Sequence, residues 1–159
     1  MVDGHEKLPY VKADINTLRE ADFLPFKLLA DLPMSMTAHI TYSTIDTLPA
    51  TISKKMITII RKDIKFKNLL ITDDISMGAL TGSISKRAEL SIKAGCDIVL
   101  HCNGQLTEMI DVANACGSLS EQSEKRSEFV LSRRKPVRET NVDEFRSEFI
   151  DLMNVLSDE

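Results

Sequence analysis

The chain has 159 residues, 43% of them apolar, and a formal net charge of −4 from 24 acidic and 20 basic side chains. This length and apolar fraction suffice for one folding unit with a buried core, and the even spread of charge argues against nucleic acid or an anionic membrane as a partner. No apolar run reaches the ~18 to 20 residues that span a bilayer, and the first residues lack the apolar stretch of a secretory leader, so we expect a cytoplasmic protein.

Residues 14–24 form the first predicted element, an amphipathic helix that ends before Pro25. Three short apolar runs then indicate strands, each ending in polar or ionisable residues. These strands are Met34–His39, Leu69–Thr72 and Asp97–Cys102.

Between the strands the apolar residues recur with a helical period. Residues 53–63 are predicted to form a helix with Ser53 as its N-cap, and a second helix is predicted to end at Gly95. Strands that alternate with helices of this length form right-handed βαβ units and a parallel sheet. Such a sheet gathers ligands at the carboxyl ends of its strands.

Four side chains fall at that edge of the predicted sheet: His39, Asp73, Asp74 and His101. A carboxylate placed there can act as a nucleophile, a general base, a metal ligand or a phosphate acceptor. Asp74 or Ser76 could instead cap the following helix. The residues alone leave both readings open.

Three cysteines, Cys96, Cys102 and Cys116, lack the CxxC spacing of a zinc site or a redox pair. Their apolar or small-residue surroundings predict reduced thiols in the core. A zinc site at His101 and Cys102 is disfavoured because adjacent residues on a strand point to opposite faces. We therefore expect His101 to be a plain residue at a strand end.

A second candidate for proton chemistry lies at Asp3 and His5, which are two residues apart. A carboxylate that holds an imidazole in one tautomer and raises its basicity is a recurrent arrangement for proton transfer. Taken alone, such a triplet near an N-terminus is more often a surface group without a function.

Several separated segments resemble, in the same order, the bacterial β-N-acetylhexosaminidase branch of glycoside hydrolase family 3. They are DGHEKLP (3–9), LPFKL (24–28), MTAHI (36–40), LPATIS (48–53), ITDDISMGA (71–79) and AGCDIVLHCN (94–103). The resemblance spans residues 3–126, and the MTAHI, PATIS and TDDISM blocks are highly specific for this branch, which recycles peptidoglycan. It implies the C-terminal part of a (β/α)8 barrel, with about three parallel βα units followed by C-terminal helices.

The resemblance also implies a retaining glycosidase that releases terminal non-reducing N-acetylglucosamine from peptidoglycan fragments. Asp73 matches the nucleophile, His5 the general acid/base, and Asp3 the carboxylate that orients the histidine. His39, Asp74 and Met77 fall at positions expected to bind the substrate or support the site. No metal and no organic cofactor are implied.

Two departures from the family pattern limit this expectation. Gly4 replaces the usual serine between Asp3 and His5, which loosens the loop. Only three strands are predicted, whereas a full barrel has eight; the family's first five strands and its Lys-His-Phe-Pro-Gly-His-Gly block are missing. Whether the chain alone is active stays open.

These gaps predict a partner and leave alternative functions open. The partner would be a separately encoded N-terminal half, or a second copy that associates through open sheet edges, with an N-acetylglucosamine-containing muropeptide as the substrate. The main alternative is a non-catalytic remnant or assembly module. A receiver-like phosphoacceptor domain would use Asp73 and Asp74 but gives the MTAHI and PATIS blocks no role.

The C-terminal region is predicted to be separate from the barrel. The charged stretch 133–140, interrupted by Pro136, is typical of an exposed linker, and residues 142–156 carry apolar side chains on one helical face. We therefore predict three segments: 1–132 as the barrel part, 133–140 as a linker and 141–159 as an amphipathic helix.

Overall fold

A computed structural model describes residues 6–136 and 141–157 of the chain. Short strands alternate with helices over these ranges. The strands are β1 (Tyr10–Val11), β2 (Met34–Met36), β3 (Thr41–Tyr42), β4 (Leu69–Asp74) and β5 (Ile98–Leu100). The α-helices are α1 (Ile15–Thr17), α2 (Leu24–Leu28), α3 (Lys54–Lys62), α4 (Ile84–Ala94), α5 (Leu106–Cys116), α6 (Glu121–Ser132) and α7 (Val142–Ser157).

The main sheet has the order β2-β4-β5, and both of its ladders are parallel. Met34 is paired with Leu69, and Ile71 with Ile98. A second parallel ladder joins β1 to β3. The predicted α/β class, with parallel strands whose carboxyl ends meet at one edge, is confirmed.

The strand boundaries differ from the predicted ones. β2 ends at Met36 rather than His39, because the chain then turns so that Thr41 can pair with Tyr10 of β1. β4 continues to Asp74 and so contains both carboxylates. The two-residue strands β1 and β3 were not predicted, since they are too short to show a period of two.

Two of the helix ends follow their sequence signals. The Ser53 hydroxyl accepts a hydrogen bond from the Met56 amide and caps α3, as predicted. At the end of α4, Gly95 has φ +117°, and a Cβ added there would meet Ile57 Cγ2 at 3.0 Å. Glycine is therefore required both by the left-handed backbone and by the close approach of α3.

The predicted helix over 14–24 is wrong in its end point and its regularity. The segment is α1, a π-helical turn at Leu18–Asp22, and then α2. Pro25 lies in the first turn of α2, where its missing N–H breaks no helical hydrogen bond. Helices α5 and α6 were not predicted.

The core consists of two clusters of buried apolar side chains. The first lies between the sheet and α3 and includes Leu18, Phe23, Ile57 and Leu70. The second lies beneath α4 and α5 and contains Ile75, Leu80, Ala88 and Val112.

The three cysteines do not share one environment, contrary to the prediction of core thiols. Cys96 is buried, Cys116 is partly exposed and Cys102 is exposed. Burial raises the pKa of the Cys96 thiol to about 12, so this thiol stays protonated. Cys102 is exposed because it follows β5 into the loop before α5.

The described side chains of α7, at residues 142–154, are all exposed. α6 ends at Ser132 and α7 begins at Val142, while residues 137–140 of the predicted linker lie outside the described residues. The division into three segments stays a prediction. No helix in the described ranges is long and apolar enough to cross a membrane.

Candidate active site

The candidate site lies at the carboxyl edge of the main sheet. Asp73 and Asp74 are the last two residues of β4, and His39 follows β2, the neighbouring parallel strand. Parallel pairing of the strands therefore brings these three predicted residues together, although 34 positions separate His39 from Asp73 in the sequence.

His39 is 2% exposed, and both of its ring nitrogens have protein partners. Nε2 donates to the main-chain oxygen of Asp74 over 2.8 Å, and Nδ1 lies 2.8 Å from the Thr51 hydroxyl. That hydroxyl lies 2.9 Å from the hydroxyl of Thr37. With the proton on Nε2, Nδ1 accepts from Thr51 and Thr51 accepts from Thr37, so neither nitrogen is free for a substrate.

Asp74 is held by hydrogen bonds on both carboxylate oxygens. Oδ1 accepts from the amides of Ser76 (2.9 Å) and Cys102 (3.1 Å), and Oδ2 accepts from the Ser76 hydroxyl (2.6 Å). Partial burial opposes ionisation, but the hydrogen bonds from Ser76 and Cys102 outweigh it and hold the pKa of Asp74 below its ordinary value. Asp74 is thus a charged group that joins the loops after β4 and β5.

Asp73 has a different environment from its neighbour. It is partly buried, and its Oδ1 accepts from the Asp74 amide over 2.8 Å. Within the described part of the chain, its Oδ2 has no hydrogen-bond donor. One oxygen of Asp73 is therefore free to react, whereas both oxygens of Asp74 are engaged.

Met77 lies in the turn that follows β4 and is partly buried. Its amide donates to the main-chain oxygen of Asp74 over 3.2 Å. Arg87 holds the same turn from α4, because its Nη1 donates to the main-chain oxygens of Ile75 (2.9 Å) and Met77 (3.1 Å). Sequence reasoning missed Arg87. The available signal was the position of Arg87 near the N-terminus of α4, where the helix dipole disfavours a cation and another role for the side chain is therefore indicated.

His101 is not the plain strand-end residue that the sequence indicated. Its side chain is only 6% exposed, and its Nε2 lies 3.0 Å from Glu108 Oε2 on α5. Asn103 donates to the same carboxylate over 2.6 Å. The hydrogen bonds from His101 and Asn103 lower the pKa of Glu108. The other ring nitrogen, His101 Nδ1, is buried and has no partner within the described ranges.

The predicted proton-transfer pair, Asp3 and His5, lies outside the described residues. Their assignment stays a prediction. Within residues 6–136 and 141–157 there is no group of three or more His, Cys, Asp and Glu side chains that could hold a metal ion.

Parallel βα units with carboxylates at the carboxyl ends of the strands are the arrangement found in part of a (β/α)8 enzyme barrel. The chain belongs to glycosyl hydrolase family 3, because the sequence pattern of the "Glycosyl hydrolase family 3 N terminal domain" matches residues 1–132.

Its curated relatives are beta-hexosaminidases. The protein of Neisseria meningitidis serogroup C (strain 053442) is 42% identical over 106 residues, which cover 64% of this chain and 29% of that protein. The protein of Pseudomonas aeruginosa (strain LESB58) is 32% identical over 115 residues, which cover 70% and 35% of the two chains. This chain thus spans about a third of the length of these relatives.

Solved structures show the same fold. Zinc-bound CbsA from Thermotoga neapolitana superposes with a TM-score of 0.73 at 30% identity, covering 86% of this chain and 34% of that chain. NagZ from Neisseria gonorrhoeae superposes with a TM-score of 0.70 at 32% identity, covering 80% and 38%. The fold is therefore that of part of the family 3 barrel, as the sequence predicted.

Proposed function

We propose that this chain carries the nucleophile of a β-N-acetylhexosaminidase that works in the cytoplasm. The substrate class is peptidoglycan fragments that end in a non-reducing N-acetylglucosamine. Membership of family 3 and the beta-hexosaminidase relatives support a glycosidase, and the sequence blocks shared with the peptidoglycan-recycling branch support this substrate. No resident metal or organic cofactor takes part.

One observation supports the assignment of roles most strongly: the unequal hydrogen bonding of Asp73 and Asp74. A nucleophile needs an oxygen whose lone pair can reach the substrate, and Asp73 Oδ2 has no donor in the described part of the chain, while both Asp74 oxygens accept hydrogen bonds. In the proposed mechanism Asp73 attacks the anomeric carbon and the leaving-group oxygen departs. Water then cleaves the glycosyl ester, and the anomeric configuration is retained.

The residues around Asp73 act as positioning groups. His39 and Met77 both donate to the main-chain oxygen of Asp74, which fixes the peptide between Asp74 and Ile75, one residue beyond the nucleophile. Asp74 joins the β4 and β5 loops through Ser76 and Cys102. Such rigid support keeps a reacting oxygen within the small angular range that attack requires.

Proton transfer is assigned to His5, with Asp3 as its orienting carboxylate. This assignment rests on the resemblance of residues 3–9 to the family's acid/base loop. His5 would protonate the departing oxygen and then take a proton from the attacking water. A His–Asp pair would thus do the work that a second carboxylate does in most retaining glycosidases.

The rest of the sugar subsite must come from parts of the barrel that this chain does not span. Distant contacts with a substrate help to orient its reacting centre, so their loss lowers turnover as well as affinity. We therefore expect turnover only when the remaining barrel is supplied.

A chimera tests the function directly. Residues 1–132 of this chain would replace the corresponding part of the Neisseria gonorrhoeae protein, and release of nitrophenol from its β-N-acetylglucosaminide would be followed. We expect Asp73→Asn to abolish both the pre-steady-state burst and turnover, because no glycosyl ester can form.

Asp74→Asn is the matched control. Its amide oxygen can still accept from the Ser76 and Cys102 amides, so activity should fall far less than in Asp73→Asn. A burst that survives in Asp73→Asn, or a greater loss in Asp74→Asn, would show that the nucleophile is assigned wrongly.

A further inference from the structure

The ladder between β4 and β5 contains one extra residue next to the carboxylates. Ile71 is paired with Ile98, but Asp74 is paired with Leu100. Between these two pairs, residues 72–73 of β4 therefore lie opposite a single residue of β5. Such an extra residue is a β-bulge, which is rare between parallel strands and changes the direction of the side chains beside it.

This bulge decides which aspartate lies opposite Leu100. If the pairing of Ile71 with Ile98 continued in regular register, Leu100 would be paired with Asp73, because both strands would advance by two residues. The extra residue places Asp74 there instead. A shift of one residue moves the side chains of a strand to its other face. The bulge thus determines which of the two carboxylates faces the loop after β5.

The Thr72 hydroxyl joins the bulge to β5. Thr72 is 0% exposed, and its Oγ1 accepts a hydrogen bond from the Leu100 amide over 2.8 Å. Regular ladders join strands through main-chain oxygens, so this side-chain acceptor belongs to the irregular segment. The main-chain oxygen of Leu100 accepts from the Ile75 amide over 3.0 Å. Leu100 is therefore bonded to β4 before the aspartate pair and to the residue after it.

The hydrogen bonds of the two carboxylates agree with this arrangement. Asp74, opposite Leu100, reaches the loop after β5, where the Cys102 amide donates to its Oδ1 over 3.1 Å. Asp73, inside the bulge, does not meet that loop, and within the described part of the chain its carboxylate accepts from the Asp74 amide alone. The bulge therefore accounts for the free oxygen of Asp73.

We propose that Thr72 is a positioning residue for glycoside hydrolysis: its hydroxyl holds the β4 bulge, and the bulge presents Asp73 to the anomeric carbon of the sugar. This inference rests on the proposed role of Asp73 as the nucleophile. The Thr72 side chain is fully buried, so it acts through the register of β4 with β5 and not by contact with the substrate. Attack tolerates only small errors of position, and loss of the bulge therefore slows formation of the glycosyl ester.

Hydrogen exchange of the full chain, resolved by residue with NMR, tests the bulge without any substrate. Thr72→Val keeps the shape of the side chain but removes the acceptor. The Leu100 and Ile75 amides should then exchange about tenfold faster or more. The Asp97 amide, which donates to the main-chain oxygen of Leu70 over 2.8 Å in the regular part of the ladder, should keep its rate. Thr72→Ser retains a hydroxyl and should leave all three rates near those of the parent.

The chimera described above measures the reaction in a single turnover. With enzyme in saturating excess over the nitrophenyl β-N-acetylglucosaminide, the rate constant reports on folded enzyme alone, so a smaller folded fraction would not lower it. Thr72→Val should lower this rate constant by about 100-fold, the scale expected when a reacting group is misplaced. Thr72→Ser should recover most of the loss. If Thr72→Val does not fold, Thr72→Ala removes the same acceptor.

The matched control is Thr41→Val on β3. It is the same substitution at a side chain that is 1% exposed, and the Thr41 hydroxyl has no hydrogen-bond partner in the described ranges. Its single-turnover rate constant should equal that of the parent.

Several results would overturn the proposal. Faster exchange at Leu100 alone would show a local hydrogen bond that holds no bulge, and equal acceleration at Leu100, Ile75 and Asp97 would show a general loss of stability. An unchanged single-turnover rate constant in Thr72→Val, or an equal loss in Thr72→Ser or in Thr41→Val, would also overturn it.

Failure of this inference is distinguishable from failure of the proposed function. If the parent chimera is inactive, or if Asp73→Asn keeps its activity, the proposed function fails and this inference fails with it. If Asp73→Asn abolishes activity and Thr72→Val does not slow the reaction, this inference alone fails.

Discussion

Asp73 and Asp74 show how two identical neighbouring side chains acquire different chemistry. They occupy successive strand positions, so their carboxylates point in different directions. The Asp74 carboxylate accepts hydrogen bonds from Ser76 and from the Cys102 amide, which lower its pKa. The Asp73 carboxylate keeps one oxygen free of hydrogen bonds from the described residues. At the residue scale, the hydrogen bonds that the neighbouring loops donate therefore decide which of the two carboxylates keeps an oxygen free to react.

The orientation of the His39 ring depends on its hydrogen bond with the Thr51 hydroxyl. Thr51→Val should destabilise the full chain by about 1 to 3 kcal/mol, because it leaves buried His39 Nδ1 and the Thr37 hydroxyl without their partner. Thr51→Ser keeps the hydroxyl and should be less destabilising. Urea unfolding measures both, and equal free energies of unfolding for the two variants would contradict this role.

The role assigned to His5 predicts a dependence on the leaving group. In the chimera, His5→Ala should slow glycosylation far less for a nitrophenyl glycoside than for a sugar leaving group, because a weakly basic phenolate needs little protonation. Release of nitrophenol should then show a burst followed by slow turnover, since water lacks its general base. Equal losses on the two substrates would refute the assignment.

At the scale of elements, Asp97 connects four segments of the fold. Its Oδ1 accepts from Arg126 Nη1 (2.7 Å) and Ser123 Oγ (2.9 Å) of α6. Its Oδ2 accepts from Arg61 Nη2 of α3 (2.7 Å) and from the Leu70 amide of β4 (2.9 Å). This carboxylate, just before β5, therefore holds α3, α6 and the sheet together.

Removing this charge should be among the most destabilising single changes. Asp97→Asn should lower the free energy of unfolding by roughly 3 kcal/mol, because Arg61 and Arg126 lose a 4% exposed counter-charge. Glu89→Gln, which removes a carboxylate paired with Lys86 and Lys93 on the surface of α4, should have a far smaller effect. Urea unfolding at pH 7 compares the two.

The parent chain and the Asp97→Asn variant should differ in how their stability responds to acid. Burial opposes ionisation of Asp97, but its hydrogen bonds to Leu70, Arg126 and Ser123 hold its pKa below the ordinary 3.8. The charged form therefore stabilises the fold above about pH 4, and this contribution is lost as the pH falls through the lower pKa of the folded state. The stability gap between the parent and Asp97→Asn should shrink below pH 4; a constant gap would contradict it.

For the whole molecule, α7 is the helix whose described side chains are all exposed. The described apolar side chains on one face, at Val142, Phe145, Phe149 and Leu152, are each about 60% exposed (59% to 62%). A chain that ends at residue 136 should keep the urea midpoint of the parent and lose helical circular dichroism, because no described α7 side chain is buried. A lower urea midpoint for the shortened chain would show that α7 stabilises the rest of the fold.

Local signals predicted much of the fold correctly. Ser53 begins α3 with a hydrogen bond from its hydroxyl, and Gly95 ends α4 because glycine tolerates the left-handed backbone there. The alternation of apolar runs predicted parallel strands. α5 and α6 were missed. The two-residue strands β1 and β3 exist only because tertiary contacts pair them. The split of the first helix into three pieces also depends on packing, since Leu18 in its π-helical turn is fully buried.

The sequence by itself indicated the family, because several blocks resemble it in the same order. It also determined the parallel α/β class and the edge at which His39, Asp73 and Asp74 meet, because strand period and strand-end residues are local properties. Only the tertiary structure showed that Asp73, and not Asp74, keeps a carboxylate oxygen without a donor in the described part of the chain, and that both ring nitrogens of His39 are hydrogen-bonded. It also showed that the His101 side chain packs against Glu108 and that Arg87 holds the turn after β4. These features depend on hydrogen bonds between residues far apart in the chain, and no sequence period records which donor reaches which oxygen.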